Sequence, residues 1–194
     1  PHTTLGDWAG ASGQAPWLMD GHPREMVTTV LDGLRNHVPA DWEVTYSRGA
    51  DIITLADDPA GAFFPDGQPR PKVAAPTGPD EALIAEAVAA AQDADYVVAV
   101  VGDRIELVGE CKSTATLELL GGQVAMLEAL AATGKPLVVV LLASKPHVLP
   151  QVVLDAAAFV WAANPGMQGG RALAEILLGI TEPSGRLPIS FAVH

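Results

Sequence analysis

A chain of 194 residues, 49% hydrophobic, can bury one sizeable core, and its formal net charge of -12 disfavours nucleic acid or an anionic membrane surface as a partner. No apolar run approaches the ~20 residues of a membrane span, the longest, Pro136 to Ala143, being the size of a strand. The single cysteine, Cys111, cannot form an intrachain disulfide, and with five scattered His it offers no zinc spacing, so neither metal nor cofactor is expected.

The first 22 residues carry Trp8 and Trp17 among Gly, Ser and Asp, with no period. "HPREMVTTVLDGLRNHV" then reads as a helix, with Pro23 in the first turn and an apolar stripe of Met26, Val27, Val30, Leu31 and Leu34. Glu43 to Tyr46 reads as a short strand. Residues 56–79 are rich in Pro, Gly and Asp and read as a long surface loop. "GPDEALIAEAVAAAQDAD" opens with acids that suit a helix N-terminus, and Ile84, Val88 and Ala91 line one side. Tyr96 to Val101 is a continuous apolar strand, expected to be central, that turns at Gly102 into a polar stretch reaching Gly121. "GGQVAMLEALAATGK" is a helix stopped by Gly134. Pro136 to Ala143 and Ala158 to Ala162 are further buried strands. "GGRALAEILLG" is a helix stopped by Gly179, and Leu187 to Phe191 is the last expected strand.

Strands without alternation suit a sheet covered on both faces. Their alternation with helices predicts an α/β fold, a mostly parallel sheet sandwiched between helices. Ligands of such sheets sit beyond the carboxyl ends of the strands. Three segments leave strands at that rim: Gly102 to Gly121, Ser144 to Pro150 and Asn164 to Gly170.

Several residue types there can carry chemistry. Glu106 and Glu110 are a candidate carboxylate pair, although spacing in a loop does not set their separation. Glu110 has Gly109 and Cys111 beside it, followed by Lys112, Ser113 and Thr114, which either hold the loop or touch substrate. Gly166, Gly169 and Gly170 stand between a strand and a helix. A phosphate cradle and a tight turn for close packing both fit, and the missing G-x-G-x-x-G and G-x-x-x-x-G-K-[ST] patterns favour the turn. Ser113, Ser144 and Cys111 are weak nucleophiles without an identified histidine base, and no G-x-S-x-G elbow is present. Trp8 and Trp17 cap the core or stack on sugar. His22, His37, His147 and His194 read as surface or loop residues.

The stretches "ADYVVAVVGD", "GECKSTATLELLGGQ" and "LEALAATGKPLVVVLLASKP", followed by "NPGMQGGRALAEILLGITEPSGRLPISF", resemble the second domain of glycoside hydrolase family 3, best between Asp93 and Phe191. The "EPSGRLPISF" ending is especially specific for that family of β-glucosidases, exo-glucan hydrolases, β-xylosidases and N-acetylglucosaminidases. The resemblance implies an α/β sandwich that follows a (β/α)8-type barrel carrying the nucleophilic aspartate. In many members the second domain supplies the general acid/base from a loop, and Glu110 of "VGECKSTAT" falls at that place. Trp8 of "TLGDWAG" falls near a tryptophan lining the subsite beyond the cleaved bond, with Lys112 and Ser113 as further substrate-binding candidates. Two positions depart from the pattern: Lys145 of "SKP" stands where many members have Arg, and Gln168 of "GMQGG" where many have an acid.

The resemblance further implies that residues 1–194 form this domain as a piece of a longer enzyme. The barrel and a first strand of the type "VAVIGP" are missing, and the piece alone is expected to be inactive. Its expected partners are the N-terminal barrel of the same enzyme and a β-linked glucoside, oligosaccharide or xyloside, with a homodimer left open. A periplasmic or extracellular setting is favoured slightly over a cytoplasmic one. Two other readings compete with an acid/base-bearing domain of a retaining, exo-acting β-glycosidase: a non-catalytic sugar-binding or packing domain, and a nucleotide-binding α/β module.

Overall fold

The computed structural model describes residues 2–6, 24–109 and 112–192. Its centre is a parallel sheet of β3 (Val97–Gly102), β4 (Leu137–Leu142) and β5 (Ala158–Trp161), in that spatial order. The register pairs Val97 with Leu137 and Gly102 with Leu142, then Val138 with Ala158 and Leu141 with Trp161. Thus β4 is flanked on both sides, while β3, expected to be central, is at the edge among the described residues.

Alternation along β4 sorts the core into two layers. Leu137, Val139 and Leu141 point to one face, where they meet α2 (Glu81–Gln92), α3 (Gln123–Ala131) and the short α4 (Gln151–Leu154) through Ala87, Ala91, Met126, Leu127, Leu130 and Val153. Val140 points to the other face, against Val30 of α1 (Val30–His37) and Leu173 of α5 (Gly169–Leu177). Both faces of β4 are therefore covered, with Val138 and Leu142 half-buried on the second, as its unbroken apolar run requires. This is the α/β sandwich expected from sequence.

Helix α1 starts later than its apolar stripe predicts. Thr29 is the N-cap: its hydroxyl accepts from the Asp32 N–H (3.2 Å), while an Asp32 carboxylate oxygen accepts from the Thr29 N–H (2.9 Å). This reciprocal box ends the preceding chain and leaves Met26 exposed in a short 3₁₀ turn. Asp80 caps α2, its carboxylate accepting from the Ala82 and Leu83 N–H groups (2.9 and 3.1 Å).

Three expectations are corrected. Glu43 to Tyr46 forms no strand. Leu187 to Phe191 is irregular, with Leu187 and Ile189 exposed, though Phe191 reaches the core edge-on to Phe159 and Trp161 (ring centres 6.0 and 5.1 Å apart). The presumed loop 56–79 belongs to an antiparallel hairpin of β1 (Ile53–Ala56) and β2 (Val73–Pro76), paired Ile53 to Pro76 through Ala56 to Val73. Toward its tip, Phe63 bridges Pro69, and the Arg70 guanidinium lies 4.3 Å from the Phe64 ring centre while its Nε donates to the Phe63 carbonyl (3.1 Å). Backbone pairing, this cation–π contact, the Arg70–Asp58 ion pair (3.4 Å) and side-chain bonds from Asp58 and Asp66 to nearby backbone N–H groups order the segment, although its composition is that of a loop.

α1 crosses α5 at a glycine contact. A Cβ on Gly170 would collide with the Thr29 carbonyl, and one on Gly33 with the Gly170 carbonyl. The Thr28 N–H donates to the Met167 carbonyl (2.9 Å) and the Gly170 N–H to the Thr28 carbonyl (3.0 Å). Gly169 and Gly170, which open α5, thus serve close packing, whereas a Cβ on Gly166 would meet nothing within 4 Å. Arg171 hydrogen-bonds Glu175 across one turn of α5 (2.8 Å) and, as the main cause, lowers the Glu175 carboxyl pKa, with burial acting in the opposite direction. A lowered carboxyl pKa stabilises the fold above its unfolded value, and that contribution is lost as pH falls through the folded value.

Gly170→Ala must move helix backbone, so it should destabilise the fold by roughly 1–3 kcal/mol. Gly78→Ala, where a Cβ meets nothing within 4 Å, should stay within about 0.5 kcal/mol. Urea denaturation checks this, and equal effects at the two positions would contradict the close crossing.

Candidate active-site rim

Because β3, β4 and β5 are parallel neighbours, the segments that leave them emerge side by side at one rim, as expected. The first segment turns at Gly102 (φ +136°), where the backbone runs so close to Leu142 that a Cβ would strike its carbonyl. The next residue, Asp103, is buried. Its Oδ2 lies 3.2 Å from the Lys145 Nζ and 3.2 Å from the His147 Nε2, both from the segment after β4. The Asp103 N–H donates to the Leu142 carbonyl (3.0 Å). The side chains of Asp103 and His147 are only 2% and 1% exposed, whereas Lys145 keeps 26%. With the Nε2–H tautomer, His147 donates to Asp103, and its buried Nδ1 meets no partner among the described residues. His147, read from sequence as a surface or loop residue, is therefore a core residue. His37, read the same way, is half-buried, its ring Nδ1 2.7 Å from the Gly33 carbonyl. His22 and His194 lie outside the described residues.

Beyond Asp103, the first segment makes a 3₁₀ turn (Ile105–Leu107) that buries Leu107 and Val108. Arg104 engages both carboxylate oxygens of Glu106, so the second member of the expected carboxylate pair is already bound. Glu110 and Cys111 lie outside the described residues, as do Trp8 and Trp17. Lys112 is half-buried, its N–H donating to the Gly109 carbonyl (3.2 Å), and Ser113 is exposed. The returning arm is tied to the segment after β4: Glu118 bridges Val148 in parallel, and the Val148 N–H donates to the Leu117 carbonyl (2.9 Å). The third segment begins with Ala163 in the left-handed region (φ +47°), a strained conformation for alanine. Gly6, two residues before Trp8, lies beside Asn164, and the Gly166 N–H donates to the Thr4 carbonyl (2.7 Å). The chain leading toward Trp8 therefore meets the rim at the third segment.

Sequence reading missed Asp103 and Gln123. Asp103 had one signal, an acid directly after a buried strand, while "SKPH" follows the next strand. The pairing of those strands made them neighbours. A shallow groove lined by Glu128, Lys135, Leu137 and Asp155 lies at the opposite edge of the sheet, away from the three segments.

The sheet, its two helical layers and the converging segments define an α/β sandwich domain whose loops face one rim. A family model for the glycosyl hydrolase family 3 C-terminal domain matches residues 1–194, and the chain belongs to that family. A periplasmic β-glucosidase of Salmonella typhimurium is 37% identical over 175 residues, 90% of this chain and 22% of that protein. A β-xylosidase of Formosa agariphila is 31% identical over 163 residues, 84% of this chain and 19% of that protein. A solved structure of a β-glucosidase involved in saponin metabolism from intestinal bacteria superimposes with a TM-score of 0.90 at 56% identity, over 100% of this chain and 28% of that one. The chain thus spans about a fifth of the curated relatives it matches. No helix among the described residues is long and apolar enough to cross a membrane.

Lys145→Met would leave the buried Asp103 carboxylate without its lysine. Breaking a buried pair costs about 3–5 kcal/mol, and the partial exposure of Lys145 lowers the expectation to about 2–3 kcal/mol. Lys145→Arg, which keeps the positive charge, should cost less than about 1 kcal/mol. Chemical denaturation of the three proteins checks the order, and a neutral Lys145→Met would contradict the ion pair.

Proposed function

We propose that this chain is the second domain of a retaining, exo-acting β-glycosidase and supplies its general acid/base, Glu110, to a barrel that holds the nucleophile. The observation that carries this reading is the construction of the rim. A polar segment containing Glu110 leaves β3 from a base fixed by Asp103, Lys145 and His147, so a stretch of small and charged residues starts from a buried, ion-paired root. The names of the relatives, β-glucosidase and β-xylosidase, support a β-linked glucoside, oligosaccharide or xyloside as substrate.

Retaining hydrolysis uses two carboxyl groups about 5–5.5 Å apart. The nucleophile's carboxylate attacks the anomeric carbon. As the C–O bond to the leaving group breaks, the Glu110 carboxyl gives its proton to the departing oxygen, leaving a glycosyl ester on the nucleophile. The Glu110 carboxylate then takes a proton from water, whose oxygen attacks the anomeric carbon and frees the sugar with its configuration retained. To hold a proton near neutral pH, the carboxyl needs burial against the partner domain or the nearby negative charge of the nucleophile. Trp8 offers an aromatic face to the sugar beyond the cleaved bond. Lys112 and Ser113, two and three residues after Glu110 in sequence, are the further substrate-binding candidates of this reading.

In the complete enzyme, Glu110→Gln should lower kcat/KM for a β-disaccharide by about 10²–10⁴, because the leaving alkoxide needs a proton. A dinitrophenyl glycoside, whose leaving group departs unaided, should lose little. Azide should rescue Glu110→Ala and yield a glycosyl azide of retained configuration. In the same assay, Trp8→Ala should raise KM for the disaccharide more than for an aryl monoglycoside. Near-normal disaccharide rates in Glu110→Ala would overturn the assignment and favour a packing or sugar-binding role for the domain.

A further inference from the structure

We propose that Gln123 is a positioning residue of the enzyme: its buried carboxamide holds both ends of the rim segment that contains Glu110. The inference rests on the reading of Glu110 as the acid/base. Gln123 is the first residue of α3 and is 2% exposed. Its Oε1 accepts from the Gly102 N–H (2.7 Å), and its Nε2 donates to the Gly102 carbonyl (3.1 Å) and to the Leu120 carbonyl (2.9 Å). Gly102 is the last residue of β3, paired on its other side with Leu142. The carboxamide thus occupies both backbone groups of Gly102 as a neighbouring strand would, and it ends the strand at a defined residue. Its remaining bond fixes Leu120, where the segment returns.

The other anchors hold one end each. Asp103, with Lys145 and His147, fixes the departing arm, and the bond between Val148 and Leu117 fixes the returning arm. Gln123 joins the two. Releasing the ends of a segment this long allows its middle to drift, and a misplacement of about 1 Å in a reacting group costs about 10²-fold in rate. A buried glutamine also leaves no room for a casual role, since each unbonded polar atom would carry a desolvation cost.

The test uses the complete enzyme with Gln123→Met, which keeps the length but removes the amide, and Gln123→Asn, which keeps the amide one methylene short. For each, kcat/KM is measured on a β-disaccharide and on a dinitrophenyl glycoside in one preparation, so the ratio does not depend on the fraction of folded enzyme. The expected result is a fall of about 10–100-fold in the disaccharide-to-dinitrophenyl ratio for both variants. A purely structural role predicts equal losses on both substrates, and that result, or an unchanged ratio, overturns the proposal. Glu110→Gln run alongside separates the two readings. A selective loss there with none in the Gln123 variants rejects the clamp alone. A selective loss in the Gln123 variants with none in Glu110→Gln keeps the clamp and moves the acid to another residue of the segment.

Discussion

Strand β4 has no face to give to water. Leu137, Val139 and Leu141 require a layer of helices on one side, and Val140 requires another on the opposite side. A strand buried this way takes parallel neighbours whose crossovers lay helices on the sheet. From that constraint follow the pairing of α1 with α5 on one face, the placement of α2, α3 and α4 on the other, and the convergence of three chain segments at the carboxyl rim. The glycine crossing of α1 and α5 is a local consequence: two helices that share one face of the sheet approach until backbone meets backbone.

The rim shows how a stable sandwich can carry a polar segment at a strand end. Polar side chains buried at a strand end are costly unless bonded, and of the buried side-chain atoms of Asp103, Gln123 and His147 only the Nδ1 of His147 goes without a partner among the described residues. Here the carboxylate of Asp103 meets two partners from the adjacent segment, and Gln123 closes the backbone of Gly102. Ionic and amide bonds at the root fix the segment without requiring its small and charged residues to build a core. Such a division suits an enzyme whose catalytic groups come from two domains, since the acid must arrive at a fixed place without a core of its own.

Much of this was legible in the sequence. Unbroken apolar runs marked β3, β4 and β5 to within a residue or two, and motifs such as "EPSGRLPISF" carried the family resemblance before any geometry. The failures have physical causes. Leu187 and Ile189 alternate with other residues and suit a strand, yet both stay exposed, and only Phe191 is drawn in by Phe159 and Trp161. The β1–β2 hairpin was hidden because its second strand, Val73–Pro76, is short and mostly Ala and Pro, in a stretch whose Pro and Gly signal a loop. Asp103, Gln123 and His147 were illegible as a site because they are distant in sequence. The β3–β4 register and the start of α3 bring them together, and periodicity does not report that adjacency.

The central claim, that this domain lends Glu110 to a nucleophile in another part of the enzyme, is tested most directly by a crystal structure of the complete enzyme trapped as its 2-deoxy-2-fluoroglycosyl intermediate. The account predicts the Glu110 carboxyl about 5–5.5 Å from the carboxyl that carries the sugar, on the side from which water attacks. A Glu110 carboxyl more than about twice that distance away, with another carboxyl in its place, would contradict it.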